Sequence, residues 1–349
     1  MSVARMQEIL VAVGKNKQSA IGTANTAAEM LHWGKLNAST ANPKLNTEND
    51  ADEYGKGHEW ATQNFKTSWD VGGSFEKHAS AEFAAWAFGF GLGKVVETGT
   101  SPNYVLTCTP LIPSAGDDVE LPLFSVVEQM RPGASAILDR MAVGCAIESV
   151  QLAVGHGPGR DNSKLTVEYT GSGKLTEPST ITMPADTAEK LLPSASLTLT
   201  INGVDYVANR NILSLETGWK NNIPPDYGFY PGSDFQTSGD GSSGAIRGRM
   251  LYGKREGNLK FTAFYEYGST ELALLKAQTT GTAAIGLSYD TNNALTITWQ
   301  QVAFATAEVA ETDGWVTVSV ECTPQYHATN GLVTVVAKSG ITGIAQAAA

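Results

Sequence analysis

The stretch GCAIESVQLAVGHGPGRDNSKLTVEYTGSG, residues 144–173, decides the fold class. Val150, Leu152 and Val154 fall on every second position. After a glycine-rich break Leu165, Val167 and Tyr169 do so again, with Lys164, Thr166, Glu168 and Thr170 between them. Period-two alternation gives a strand one face for a core and one for water. Two such strands joined by GHGPGRDNS predict a hairpin whose loop exceeds a tight two-residue turn. Nothing in the pair carries catalytic chemistry, so it reads as the centre of an all-β structural protein.

Composition supports that reading. A chain of 349 residues holds one large β domain or two smaller ones. Hydrophobic residues at 42% and charged residues at 17% describe a folded chain, and 36 glycines suit many short strands and turns. Lys and Arg number 24 against 35 Asp and Glu, a formal charge of −11. That balance disfavours a surface gripping nucleic acid through its phosphates, though it allows DNA to slide past. Cys108, Cys145 and Cys322 stand far apart in strand-like runs, with no zinc spacing. They are expected to be small buried hydrophobes in a reducing cytoplasm, and no metal or cofactor is expected. The start, MSVARMQEILVAVGKNK, lacks the apolar run of a signal peptide, and no segment has the length of a membrane span. The expectation is a soluble protein made in the cytoplasm with no membrane partner.

Upstream of the hairpin, Met6, Ile9, Leu10 and Val13 sit at helical spacing and predict a short amphipathic helix. Residues 14–57 are polar and end in NTENDADEYG, which predicts an extended arm that orders against something else. Glu48, Asp50 and Asp52 alternate there without the glycine of a calcium loop, so the run reads as solvated charge. Residues 63–77 alternate, with Phe65, Thr67, Trp69, Val71 and Phe75 on one side. Ser80 then caps a helix whose apolar face is Phe83, Trp86, Ala87 and Phe90. Glycines 89, 91 and 93 end it, and it lies across a sheet. His78 and Glu82, four apart, read as a surface contact.

Downstream, strands are predicted at 104–109 and 121–127. In LTLTI, Asn202-Gly203, VDYV, the Asn-Gly pair between alternating runs predicts a type I′ turn. Leu213, Leu215 and Trp219 continue as a strand, followed by an aromatic loop over 221–245 with three prolines. Its GDGSSG matches GxGxxG but neither follows a strand nor opens a helix, so it is no dinucleotide site. There is no GxSxG elbow, the five histidines are scattered, and no catalytic constellation emerges. Leu259–Tyr267 forms a strand, a short helix starts near Ser269, and strands follow at 284–289, 294–304 and 315–322. The alternation slips at Gln300-Gln301, which predicts a β-bulge. Strands and helices do not alternate regularly, which disfavours a parallel α/β fold.

Several of these stretches together resemble the major tail tube proteins of long-tailed, siphovirus-like bacteriophages. They are the AIESVQLAVG…SKLTVEYTGSG hairpin, SWDVGGSFE leading into AEFAAWAFGFGLG, ILSLETGWKNNIPPDYGF, and ALLKAQTTGTAAIGLSYD…ALTITWQQVAFATAEVAETDGWVTVSVECTP. The resemblance covers most of residues 60–325. It implies a mainly β fold, all-β or α+β: an antiparallel two-sheet β-sandwich with one flanking helix. It further implies six-membered rings whose sheets join into a barrel, stacked into the virion tail as the conduit for DNA ejection. Implied partners are further copies of the chain, a tape measure protein, a tail terminator, and double-stranded DNA passing without specific binding. On this reading residues 1–57 are a helix and arm making inter-subunit contacts. Residues 58–349 are then the tube domain, with insertions near 172–195 and 221–245. Candidate self-assembly residues are Met6, Ile9 and Leu10 in the arm, with Trp60, Trp219, Tyr227, Phe229 and Tyr230 in segments lacking an evident core. Two other readings stay open. One is a different virion β protein, a tail terminator or head decoration. The other is a carbohydrate-binding or glycosidase-like β-sandwich, which would need paired carboxylates ~5–9 Å apart.

Overall fold

The computed structural model describes residues 9–34, 37–38, 42–49, 64–130, 138–157, 160–161, 163–177, 182–229, 235–237, 243–265, 271–312, 314–329 and 331–346. These residues are mainly antiparallel β, with few helices. The first main strands are β1 (Ile9–Gly14), β2 (Met30–His32), β3 (Asn42–Asn49) and β4 (Asn64–His78), followed by helix α1 (Ala81–Leu92). Next come β5 (Gly93–Thr100), β6 (Asn103–Pro110), β7 (Phe124–Met130), β8 (Leu138–Gly157), β9 (Lys164–Gly171), β10 (Lys174–Thr176) and β11 (Thr198–Ile201). After helix α2 (Tyr206–Arg210) lie β12 (Ile212–Lys220) and β13 (Glu256–Phe264). Helix α3 (Glu271–Ala277) precedes β14 (Thr280–Ser288), β15 (Ala294–Thr312), β16 (Trp315–Pro324) and β17 (Val333–Ser339).

Three runs of pairing share two long strands. The widest is β3–β4–β9–β8–β12–β13–β16–β15. The second is β5–β6–β17–β15–β14–β11. The third is β2–β1–β7–β8–β10. The predicted central hairpin is there, with Leu165 opposite Leu152 and Val167 opposite Val150.

β8 and β15 pass from one run to the next because each carries an extra residue. On β8, Phe124 faces Cys145 but Val126 faces Ala142, and Gly144 takes up the kink at φ +67°. A side chain there would meet the Ile21 carbonyl oxygen at 2.6 Å, so glycine is required twice over. On β15, Gly281 faces Val302 while Ala283 faces Trp299, placing a bulge at Gln300-Gln301 as the alternation predicts. A second slip falls at Ala305. The inward residues accordingly step from Leu295, Ile297 and Trp299 to Val302 and Phe304, then to Ala307.

α1 is the centre of the core. Ser80 caps it as predicted, its Oγ accepting the Phe83 N–H at 3.1 Å, and Gly93 stops it in the left-handed region. The helix does not lie across one sheet with one face wet. All twelve of its residues are buried, against β17, β8, β6 and β5. The reason is compositional: apart from Glu82 the helix has no polar side chain, and a helix apolar all round is an interior helix. Trp86 meets Phe124 edge-on at 5.1 Å, Phe90 meets Phe124 at 5.0 Å, and the Trp86 indole donates to the Gly14 carbonyl at 2.9 Å. Each such ring contributes roughly 2–3 kcal/mol through burial. Glu82 is itself buried and accepts the Lys190 N–H at 2.8 Å, whereas His78 is exposed, so the expected His78–Glu82 surface contact is replaced.

The N-terminal expectation needs correction. Ile9–Gly14 is a strand, not a helix, paired with β7 on one side and β2 on the other. The run ILVAV is buried on both faces at Val11, Ala12 and Val13, and a continuous apolar run contains helical spacings by default. Nor do residues 15–34 form a free arm. Gln18, Asn25 and Ser125 make a buried network: Gln18 Nε2 donates to Ser125 Oγ at 2.6 Å and Ser125 N–H to Asn25 Oδ1 at 2.9 Å. Trp33 packs edge-on against Phe83 at 5.5 Å, and β3 pairs along β4. Asp50, Asp52, Met6 and the side chain of Glu48 lie outside the described residues.

Asn202 (φ +50°) and Gly203 (φ +79°) make the predicted turn between Ile201 and Val204. The returning strand is only Val204–Asp205. Asp205 then caps α2, its Oδ1 accepting the Val207 and Ala208 N–H groups, both at 3.0 Å. Cys108, Cys145 and Cys322 are free and buried, as expected.

Candidate assembly surfaces

The widest sheet buries one face and exposes the other. Inward are Val150, Leu152, Leu165, Val167, Leu215, Trp219, Leu259, Phe261, Val318 and Val320. The cross-strand register fixes what lies outward, in rows that run from strand to strand. One row is Thr306, Glu321, Lys260, Glu216, Ala153, Lys164 and His78. Glu308, Ser319, Thr262, Ser214 and Gly155 form the next. Beyond the first row on its other side come Asn258, Gly218, Gln151, Thr166 and Glu76, then Glu256, Lys220, Ser149, Glu168 and Ser74. Strands lie ~4.8 Å apart, so this face is about 30 Å wide. It is hydroxyl- and carboxylate-rich: six glutamates stand among three lysines in these rows. Lys260–Glu321 and Lys164–Glu76 pair at 3.0 Å, but these ions are about half-exposed and each pair contributes little to stability. The face is dimpled rather than cleft, with two open recesses of about 370 and 310 Å³.

The margins of the pairing are open. Among the described residues β3 pairs only with β4, and β5 only with β6, with Val96 of β5 exposed. Unpaired strand edges are templates for another chain.

The predicted self-assembly residues separate into different environments. Ile9 and Leu10 start β1, with Leu10 partly exposed. Tyr227 is 66% exposed, and Phe229 sits under the Arg247 guanidinium at 5.2 Å. Trp219, expected in a segment lacking an evident core, is only 3% exposed and stacks on Trp299 at 6.5 Å inside one. Its indole donates to Asn221 Oδ1 at 2.9 Å, while Asn221 Nδ2 donates to the Gly91 and Ile147 carbonyls, both at 2.8 Å. Met6, Trp60 and Tyr230 lie outside the described residues.

Two surface features were not anticipated. The β15–β16 hairpin runs past the end of β13, and its tip exposes Val309, Trp315 and Val316 on both faces. The signal was Trp315 directly after Asp313-Gly314, an aromatic at a turn with no core within reach. At the opposite end of β13 and β16, Ile112, Trp219, Tyr252, Arg255, Tyr326 and Leu332 line a recess of about 290 Å³. Those residues are scattered through the sequence, so no local pattern announces them.

The chemistry available is limited. Burial pushes the Cys108 and Cys322 thiols up to about 12 and raises that of Cys145, so none is a ready nucleophile. Among the described residues no group of three or more His, Cys, Asp or Glu is placed to hold a metal ion. No helix among them is long and apolar enough to cross a membrane. Compared with known proteins, the chain matches no family model and no curated protein.

Proposed function

We propose that this chain is a structural subunit that assembles with copies of itself into stacked six-membered rings. The assembly is the tail tube of a long-tailed bacteriophage, through which DNA is ejected. In this reading the widest sheet and the run containing β14 and β17 act as the two layers of a sandwich. The wet face of the wide sheet turns toward a central bore. The observation that carries the proposal is that face: about 30 Å of pleated surface, dense in Ser, Thr and Glu, bordered on one side by the open strand β3. A ring supplies what a single copy lacks, because neighbours pair with the open edges and close the sheet into a barrel. A wall with more carboxylates than lysines gives DNA phosphates no counterion-releasing grip, so the polymer passes without being held.

The resemblance at AIESVQLAVG…SKLTVEYTGSG and its companion stretches supplies the identity of the assembly; the exposed face and edges supply the physical reason for one. Electron microscopy of the purified protein at high concentration tests it. Hollow rods with an axial repeat of a few nanometres are expected. Particles that remain single copies at every concentration would refute the proposal.

A further inference from the structure

We infer that copies of this chain join head to tail, the β15–β16 hairpin tip of one seating in the arginine–tyrosine recess of the next. The inference rests on the assembly reading above and names the surfaces that carry growth along the axis.

The tip is apolar where it should be wet. Val309 is 45%, Val316 50% and Trp315 65% exposed, with the Phe264 ring against Trp315 at 5.9 Å. It is also anionic. Glu308 and Glu311 are exposed there, and the sequence has no Lys or Arg between Lys276 and Lys338.

The recess has the opposite character. The Arg255 guanidinium lies 4.2 Å from the Tyr252 ring and 5.7 Å from Trp219. Its Nη2 donates to the Leu111 carbonyl at 2.6 Å, and its Nη1 has no acceptor among the described residues. Neighbouring cations have carboxylates, Arg249 with Glu120 at 3.2 Å and Lys254 with Glu256 at 4.0 Å. Among the described residues no carboxylate pairs with Arg255. A partly desolvated guanidinium without an anion calls for one, and Arg, Tyr and Trp are the residue types that dominate interface energetics. Tyr326, 63% exposed, supplies an open aromatic wall.

Tip and recess lie at opposite ends of the same strands, β13 and β16, so no copy can fill its own recess. Such a contact is heterologous and propagates from copy to copy. The ten residues of β16 span ~33 Å, which sets a repeat of about 3 nm.

Two variants test this, one carrying Glu311→Lys with Trp315→Ser at the tip, the other Tyr326→Asp in the recess. Both alter exposed side chains, and Arg255→Gln serves as a second recess variant. Sedimentation velocity and electron microscopy follow each alone and in equal mixture. Wild type should elongate and each variant alone should stop. The mixture should form species of twice the unelongated mass and no larger, because one tip and one recess remain intact. Rods of wild-type length from either variant alone, or from the mixture, would overturn the head-to-tail contact and leave the assembly reading standing. A wild type that never assembles would overturn that reading and this one with it.

Discussion

At the scale of residues, buried polar groups decide how strictly the core is specified. Asn221, fully buried, closes a circuit among the Trp219 indole and the Gly91 and Ile147 carbonyls, tying β12 to α1 and β8. Asn221→Leu keeps the volume but leaves three buried groups unpaired. A loss of about 3–5 kcal/mol is expected, read as a lower urea midpoint at unchanged slope. A loss below about 1 kcal/mol would mean the circuit is not holding these elements together. Glu82 adds a pH signature. Burial raises its carboxyl above the ordinary 4.5, against the Lys190 N–H bond that lowers it. The folded chain therefore holds this proton more tightly than the unfolded one. The group's contribution to stability is fullest below 4.5 and declines as pH rises through the folded-state pKa. Relative to Glu82→Gln, wild type should lose unfolding free energy as pH is raised from 4.5. A difference that stays constant with pH would exclude the buried carboxyl as its source.

At the scale of elements, two bulged strands set the architecture. Gly144→Ala forces a side chain into a positive-φ kink and against the Ile21 carbonyl, and should cost about 2 kcal/mol or more by denaturant unfolding. Deleting Gln301 removes the extra residue of β15. Trp299, Val302 and Phe304 would then alternate without a break, and the strand would lose the bend that carries it from one run of pairing to the next. Loss of soluble protein is the expected outcome, and normal yield and stability would contradict this account of the bulge. These features differ in how far the sequence reveals them. The central hairpin, the Asn202-Gly203 turn, the Ser80 cap and the slip at Gln300-Gln301 are local, written within a dozen residues of themselves. The strand at Ile9–Gly14 is ambiguous in sequence because ILVAV fits both the helical and the strand period. The enclosure of α1 is legible in AEFAAWAFGFGL, which has no wet face, although Phe83, Trp86, Ala87 and Phe90 also form a single stripe.

At the scale of the whole molecule, what matters is which faces are left over. Strand alternation foretold that one sheet face would be polar. It did not foretell that the rows through Lys260 and Thr262 would run across so many strands, because strand order is set by non-local pairing. The same holds for the recess, whose Ile112, Trp219, Arg255 and Tyr326 meet only in three dimensions. Trp219 shows the converse: an aromatic beside a proline-rich loop looked available to a neighbour, yet it completes this chain's own core. The central claim is that the polar face encloses a hole. A helical reconstruction of the assembled protein tests it most directly. The account predicts that Ser214, Glu216, Thr262 and Ser319 point into a continuous lumen. Finding those residues on the outer surface of the rod, or packed between protomers, would contradict it.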